Sequence, residues 1–245
     1  MLKLLKYDLK RRKERILVFI VIALLAQAGL WISSAQIDVN LASLNLVIYC
    51  ILAIAMIFIA VTGYFRNLKS YQRRLLPVTA LQTVLSPMLL ALLLMGVVIL
   101  IGLAHLGIFK LLYTTANFIP GNLQTVGFRA LLQSVWSSGF LMVMVMFSFT
   151  VAYSLRMKWR VWVGIALLVL LQNGIGYLEK LLFNTYFIGL DNAFKFEIYN
   201  GEPQTGSEFT IPYLPINPGA LLFEVAVVCL MIYGMVMLVR RRIEV

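Results

Sequence analysis

Residues 65–109 read FRNLKSYQRRLLPVTALQTVLSPMLLALLLMGVVILIGLAHLGIF. Four basic residues, Arg66, Lys69, Arg73 and Arg74, precede the run 75–109, which carries no formal charge. A helix needs about 20 mostly apolar residues to cross the hydrocarbon core of a bilayer, so this run is long enough to span it. The same alternation continues in both directions. Charge-free runs lie at 16–37, 39–65, 130–155 and 161–178, and 219–239 is interrupted only by Glu224. The pattern predicts an all-α polytopic membrane protein, residues 1–245 forming one transmembrane domain. Its spans fall at about 16–34, 43–64, 80–108, 130–154, 161–178 and 219–239.

Charge gives the direction of threading. The amino-terminal segment, the 66–74 segment, Arg156, Lys158 and Arg160, and the tail Arg240, Arg241 and Arg242 together hold seventeen of the 21 Lys and Arg residues. The remaining gaps hold Lys110, Arg129, Lys180 and Lys195 against Asp38, Glu179, Asp191, Glu197, Glu202 and Glu208. By the positive-inside rule both termini are expected in the cytoplasm, in a multi-pass protein of a bacterial plasma membrane.

A hydrophobic fraction of 62% with 13% charged residues is far from a soluble domain. The net charge of +11 would suggest nucleic acid in a soluble chain, but here topology and anionic lipid account for it, so no nucleic-acid partner is expected. Cys50 and Cys229 fall within spans and read as buried apolar packing rather than a disulfide or thiolate site. The first apolar run is too long for a signal-peptide core and reads as a retained anchor.

Residues 1–15 pattern as a basic amphipathic helix on the inner membrane surface, with Leu2, Leu5, Leu9 and Ile16 on one side and Lys3, Lys6, Lys10 and Lys13 beside them. The alternative is a basic flank that only sets topology. In the 65–79 connection, Pro77 ends one helix and Thr79 is placed to cap the next; Pro87 allows a kink in the third span. The segment 184–218 carries four prolines among many aromatic residues, which fits an interface-lying lid.

A search for chemistry finds little. His105 stands alone, without H-E-x-x-H or G-x-S-x-G context, and reads as an interfacial residue bonded to water or a carbonyl. No G-x-x-x-x-G-K-[ST] is present, so the chain is not expected to be an enzyme, to hold a metal or to bind ATP itself. Glu224 reads either as a hydrated rim residue or a partner of Arg129 or Lys180, or else as part of a translocation path or subunit interface. Asn173 with Gln172, Gly174 and Gly176 suits either a broken helix lining a pathway or tight helix packing. Met142, Met144 and Met146 could suit an adaptable apolar cavity, but they alternate around a helix, which points to lipid contact.

With the spans placed, the chain resembles the permease subunits of type-2 ATP-binding-cassette exporters over essentially its whole length. The local match is RLLPVTALQTVLSPMLL, where Leu75, Leu76, Pro77 and Thr79 fit a family pattern. The chain departs from that pattern in having basic Lys69, Arg73 and Arg74 ahead of the proline, and Pro87 where a Lys is common. The resemblance implies an amino-terminal elbow helix, MLKLLKYDLKRRKER, and short outer helices within about 177–215. It also implies a cytoplasmic coupling helix in FRNLKSYQRRLLPV. Residues Arg66, Asn67, Lys69, Tyr71, Gln72, Arg73, Arg74, Leu75, Leu76 and Pro77 would there meet separate ATPase subunits. The basic ones either pair with acids on that partner or serve topology and phospholipid binding.

ATP and Mg would reside on those partners, with no cofactor on this chain. A second permease, identical or paralogous, would complete a shared pathway for a hydrophobic or amphipathic peptide, drug or lipid-like substrate. A membrane scaffold or immunity protein that binds a toxin without transport is the alternative.

Overall fold

A computed structural model describes residues 2–33, 39–69, 79–112, 123–155, 159–183 and 217–240. Among them are six α-helices: α1 (Leu2–Ser33), α2 (Val39–Lys69), α3 (Ala80–Leu112), α4 (Leu123–Ser154), α5 (Arg160–Phe183) and α6 (Pro218–Leu238). Each contains a stretch long and apolar enough to cross a membrane, the shortest being the 21 residues of Pro218–Leu238. The chain is a multi-pass membrane protein by this measure, and each helix holds most of one long apolar run.

The helix ends differ more. α1 continues from the basic segment into the apolar one without interruption. No Pro or Gly lies between Leu2 and Ala28, so nothing breaks the hydrogen-bond ladder where charge gives way to apolar residues. Residues 2–15 therefore add turns to the first span and are not a separate surface helix in this structure. α2 likewise runs on to Lys69, past the expected end near residue 64. α5 reaches Phe183, which makes Glu179 and Lys180 helical residues rather than loop residues.

α3 opens on a reciprocal cap. The Gln82 amide N–H donates to Thr79 Oγ1 and the Thr79 N–H to Gln82 Oε1, each at 3.4 Å. The helix continues through Pro87. α6 starts with Pro218 at its first position, and the Asn217 side chain accepts from Gly219 N at 3.1 Å and Ala220 N at 3.3 Å.

The chain divides into two compact units: Met1–Ser70 with Leu85–Phe118, and Tyr71–Val84 with Ile119–Val245. In the first, α1 and α2 pack as an antiparallel hairpin. Gln27 faces Asn45 at one end, while Arg12 faces Ile59 and Gly63 at the other. The buried positions Asp8, Ile16, Ala23 and Gln27 recur at steps of eight, seven and four residues along one stripe of α1; Leu52, Met56, Ala60 and Tyr64 recur every four residues on α2.

In the second unit, α4 is the shared neighbour. It runs antiparallel to α5, where Phe149 lies against Gly164 and Arg160 over the Tyr153 ring at 6.0 Å. It runs parallel to α6, where Trp136 meets Glu224 and Phe147 lies against Gly234. Both contacts depend on glycine: a Cβ on Gly164 or on Gly234 would come within 2.9 Å of the facing ring. Because α4 is packed by both neighbours, burial extends around it. Met142, Met144 and Met146 are all buried, contrary to the lipid contact that their alternation suggested. Hydroxyls on α4 stay satisfied by bonding back to their own helix, as Ser148 Oγ does to Met144 O at 2.7 Å and Thr150 Oγ1 to Met146 O at 2.6 Å.

The two thiols overturn another expectation. Cys50 and Cys229 are free and exposed, not packed inside. On a membrane-spanning surface the surroundings are apolar either way, so a weakly polar thiol has no drive to be covered.

Candidate functional site

Of the residues expected to meet an ATPase, the described ones fall on the last turns of α2. Arg66 is exposed on the last turns of α2. Asn67 and Lys69 belong to the same helix. Tyr71, Gln72, Arg73, Arg74, Leu75, Leu76 and Pro77 lie outside the described residues, as do the side chains of Asn67 and Lys69 and the basic tail from Arg241; of the outer helices expected within 177–215, residues 177–183 continue α5 and 184–215 lie outside the described residues. The described part gives the segment two firm borders, an unbroken α2 before it and the capped start of α3 after it.

The two candidate pathway residues separate. Asn173 is exposed on an unbroken α5, and its Nδ2 donates to Val169 O at 2.8 Å, one turn earlier. No helix break occurs at Gly174 or Gly176. Glu224, by contrast, is 0% exposed, so it is enclosed rather than hydrated. The indole Nε1–H of Trp136 donates to its Oε2. Phe183 packs against Gly219 and Phe223, which fixes the α5–α6 register and puts Glu179 within about one turn of the Glu224 level. Glu179 is itself only 2% exposed. Two carboxylates are thus enclosed in the apolar second unit, a costly placement that marks this level as more than filler. Lys180, beside Glu179, is exposed.

Two further polar clusters sit in the first unit. Near one end of the hairpin, the Arg12 guanidinium donates to the Ile59 carbonyl and occupies the space above Gly63. Asp8, one turn before Arg12 on the same helix, is 2% exposed. Near the other end, Gln27 Nε2 donates to Asn45 O at 3.2 Å. One turn from each of these, Trp31 and Tyr49 reach the single histidine. Tyr49 Oη and His105 Nδ1 are 2.7 Å apart, and both aromatic rings meet the imidazole edge-on, with centroids 5.0 Å away for Trp31 and 5.8 Å for Tyr49. His105 therefore has a phenol partner within the protein, where water or a carbonyl was expected.

Neither cluster could be read from spacing alone. Gln27, Asn45 and His105 lie on three helices, and only the antiparallel register of α1 and α2 brings them to one level. The signal available in the sequence was weak: a Gln four residues before a Trp, and an Asn four residues before a Tyr, each stacked on one helix face.

No protein-family model, curated protein or solved structure matches the chain.

Proposed function

We propose that the chain is the permease subunit of a type-2 ATP-binding-cassette exporter. It moves a hydrophobic or amphipathic substrate, a peptide, drug or lipid-like molecule, and works with separate cytoplasmic ATPase subunits and a second permease, identical or paralogous. Both termini face the cytoplasm, and ATP and Mg are bound by the partners.

The observation that carries this reading is the basic connection between α2 and α3. Arg66, Lys69, Arg73 and Arg74 precede Leu75-Leu76-Pro77, and stiff helices border the segment on both sides. A docking segment transmits motion only if the partner's displacement reaches the spans undamped. A helix continuous to Lys69 and a cap at Thr79 favour that. The sparse polar content of the spans favours an amphipathic cargo over a hydrated ion. Within this scheme Glu224, enclosed between α4 and α6, takes the role of a structural polar anchor for the second unit, and Asn173 lies on a surface open to lipid or to the second permease.

The reading is tested by co-expressing the chain with candidate ATPases and purifying through the permease. A stable complex whose ATP hydrolysis rises with substrate supports it. Absence of any such complex rejects it in favour of a membrane scaffold that binds its partner without transport.

A further inference from the structure

The polar cluster of the first unit leaves acceptors unused. Gln27 is 6% and Asn45 8% exposed, and among the described residues Gln27 Oε1 and Asn45 Oδ1 have no hydrogen-bond partner. The contact of Gln27 Nε2 with Asn45 O fixes which end of the Gln27 amide is the oxygen. Leaving a buried carbonyl oxygen unbonded is costly, and a bilayer supplies little water to relieve it. Two such oxygens on facing residues of one hairpin call for a donor.

The surroundings narrow the donor's chemistry. Trp31 lies one turn from Gln27 along α1, and Tyr49 one turn from Asn45 along α2, so the two rings flank the amide level from opposite sides. Both touch His105, which places the imidazole alongside that level. The three rings are half-buried rather than enclosed, so they form the part of the cluster that an incoming group meets first. A single hydroxyl carries one donor and serves one oxygen. A primary ammonium carries three donors, serves both, and is drawn to the faces of Trp and Tyr. None of these five side chains is a carboxylate, so the cluster suits an ammonium that brings its own counter-charge or sits near headgroup phosphates.

We propose that Gln27, Asn45, Trp31, Tyr49 and His105 form a membrane-level site for the primary ammonium head of an amphipath. The two amide oxygens accept its N–H groups and the aromatic rings close around it. Both oxygens are covered by protein atoms, so binding requires a side chain to move aside. The ammonium has two potential sources, an aminolipid of the bilayer or an amphipathic amine carried as cargo. The site is independent of the export reading, because binding is measured on this chain without any ATPase.

The test is a titration of the full-length chain in phosphatidylcholine nanodiscs with dodecylamine and, separately, dodecyltrimethylammonium, protein-free discs being subtracted. The two share charge and chain, but the trimethylated head has no N–H to donate. Dodecylamine is expected to bind at least about tenfold more tightly, the discrimination of a charge-assisted hydrogen bond. In Gln27→Leu/Asn45→Leu that ratio falls to near one. Ser134→Leu, on an exposed face of α4, keeps it. Helical content and melting temperature show that the double variant is folded; should it fail to fold, His105→Phe, which retains both oxygens but alters the ring wall, is expected to weaken dodecylamine binding severalfold. Repeating the titration in phosphatidylethanolamine discs identifies the source. Weaker dodecylamine binding there points to the aminolipid as occupant, and unchanged binding points to a cargo amine. Equal affinity for the two amphiphiles in the wild-type chain, or a preference that survives the double variant, overturns the proposal and leaves the oxygens to bound water.

Discussion

The indole N–H of Trp136 donates to the carboxylate of Glu224, tying α4 to α6 where Glu224 is wholly enclosed. Removing the donor leaves the acid with less to offset its desolvation. Trp136→Phe is expected to destabilise the protein by about 1–3 kcal/mol. Glu224→Gln keeps an oxygen for the same N–H and should cost less. Thermal unfolding of both variants in one detergent checks the order.

Arg12 and Gly63 form a second coupled pair. A methyl group on Gly63 would occupy the space of the Arg12 guanidinium. The flexible arginine can move away, but only by giving up the Ile59 carbonyl. Gly63→Ala and Arg12→Ala should each cost roughly 1–3 kcal/mol. The double variant should cost little more than either alone, because both remove the same contact. A double-mutant cycle on melting temperature measures this.

Glycines on α5 should respond with opposite signs. Gly164 faces the Phe149 ring, and an added Cβ would lie 2.9 Å from it, so Gly164→Ala forces the ring aside and is expected to cost about 1–3 kcal/mol. Gly174 has nothing within 4 Å of the corresponding position. Gly174→Ala should gain up to about 1 kcal/mol from helix propensity. Unfolding measured under identical conditions separates the two outcomes.

The thiols at positions 50 and 229 are free and exposed on spans. Replacing either by Ala creates no cavity, so each change should stay within about 0.5 kcal/mol. A loss of several kcal/mol would show instead that the cysteines are enclosed. The cysteine-free chain is then the background for placing single cysteines in 1–15 and 66–78 and testing which face of the membrane labels them.

The six spans were legible because membrane crossing is set by the length of charge-free runs, and those runs are read directly from the chain. Helix ends were not. Charged residues such as Arg66 and Lys180 mark where the apolar run stops, yet the backbone ladder of α2 and α5 continues past them. Nothing in those turns breaks it. Burial was legible least of all. In a soluble protein an apolar residue signals the core, but lipid and core are equally apolar, so Met144 inside and Cys50 outside carry no distinguishing mark. The polar residues were the better guide once the register was known. Gln27, Asn45 and His105 meet only because α1 and α2 run antiparallel and α3 returns beside them, information that no local window holds. Asp8 carries no mark either: it stands among basic neighbours, and only its position on the buried stripe of α1 encloses it.

The most direct test of the exporter reading is ATP hydrolysis by the reconstituted permease–ATPase complex with Arg73→Glu/Arg74→Glu in the α2–α3 connection. Docking through this segment predicts that substrate-stimulated hydrolysis falls at least about tenfold, the loss of one or two charge-assisted contacts, while the six-helix chain still folds and inserts. Full stimulation in the reversed-charge variant would contradict it.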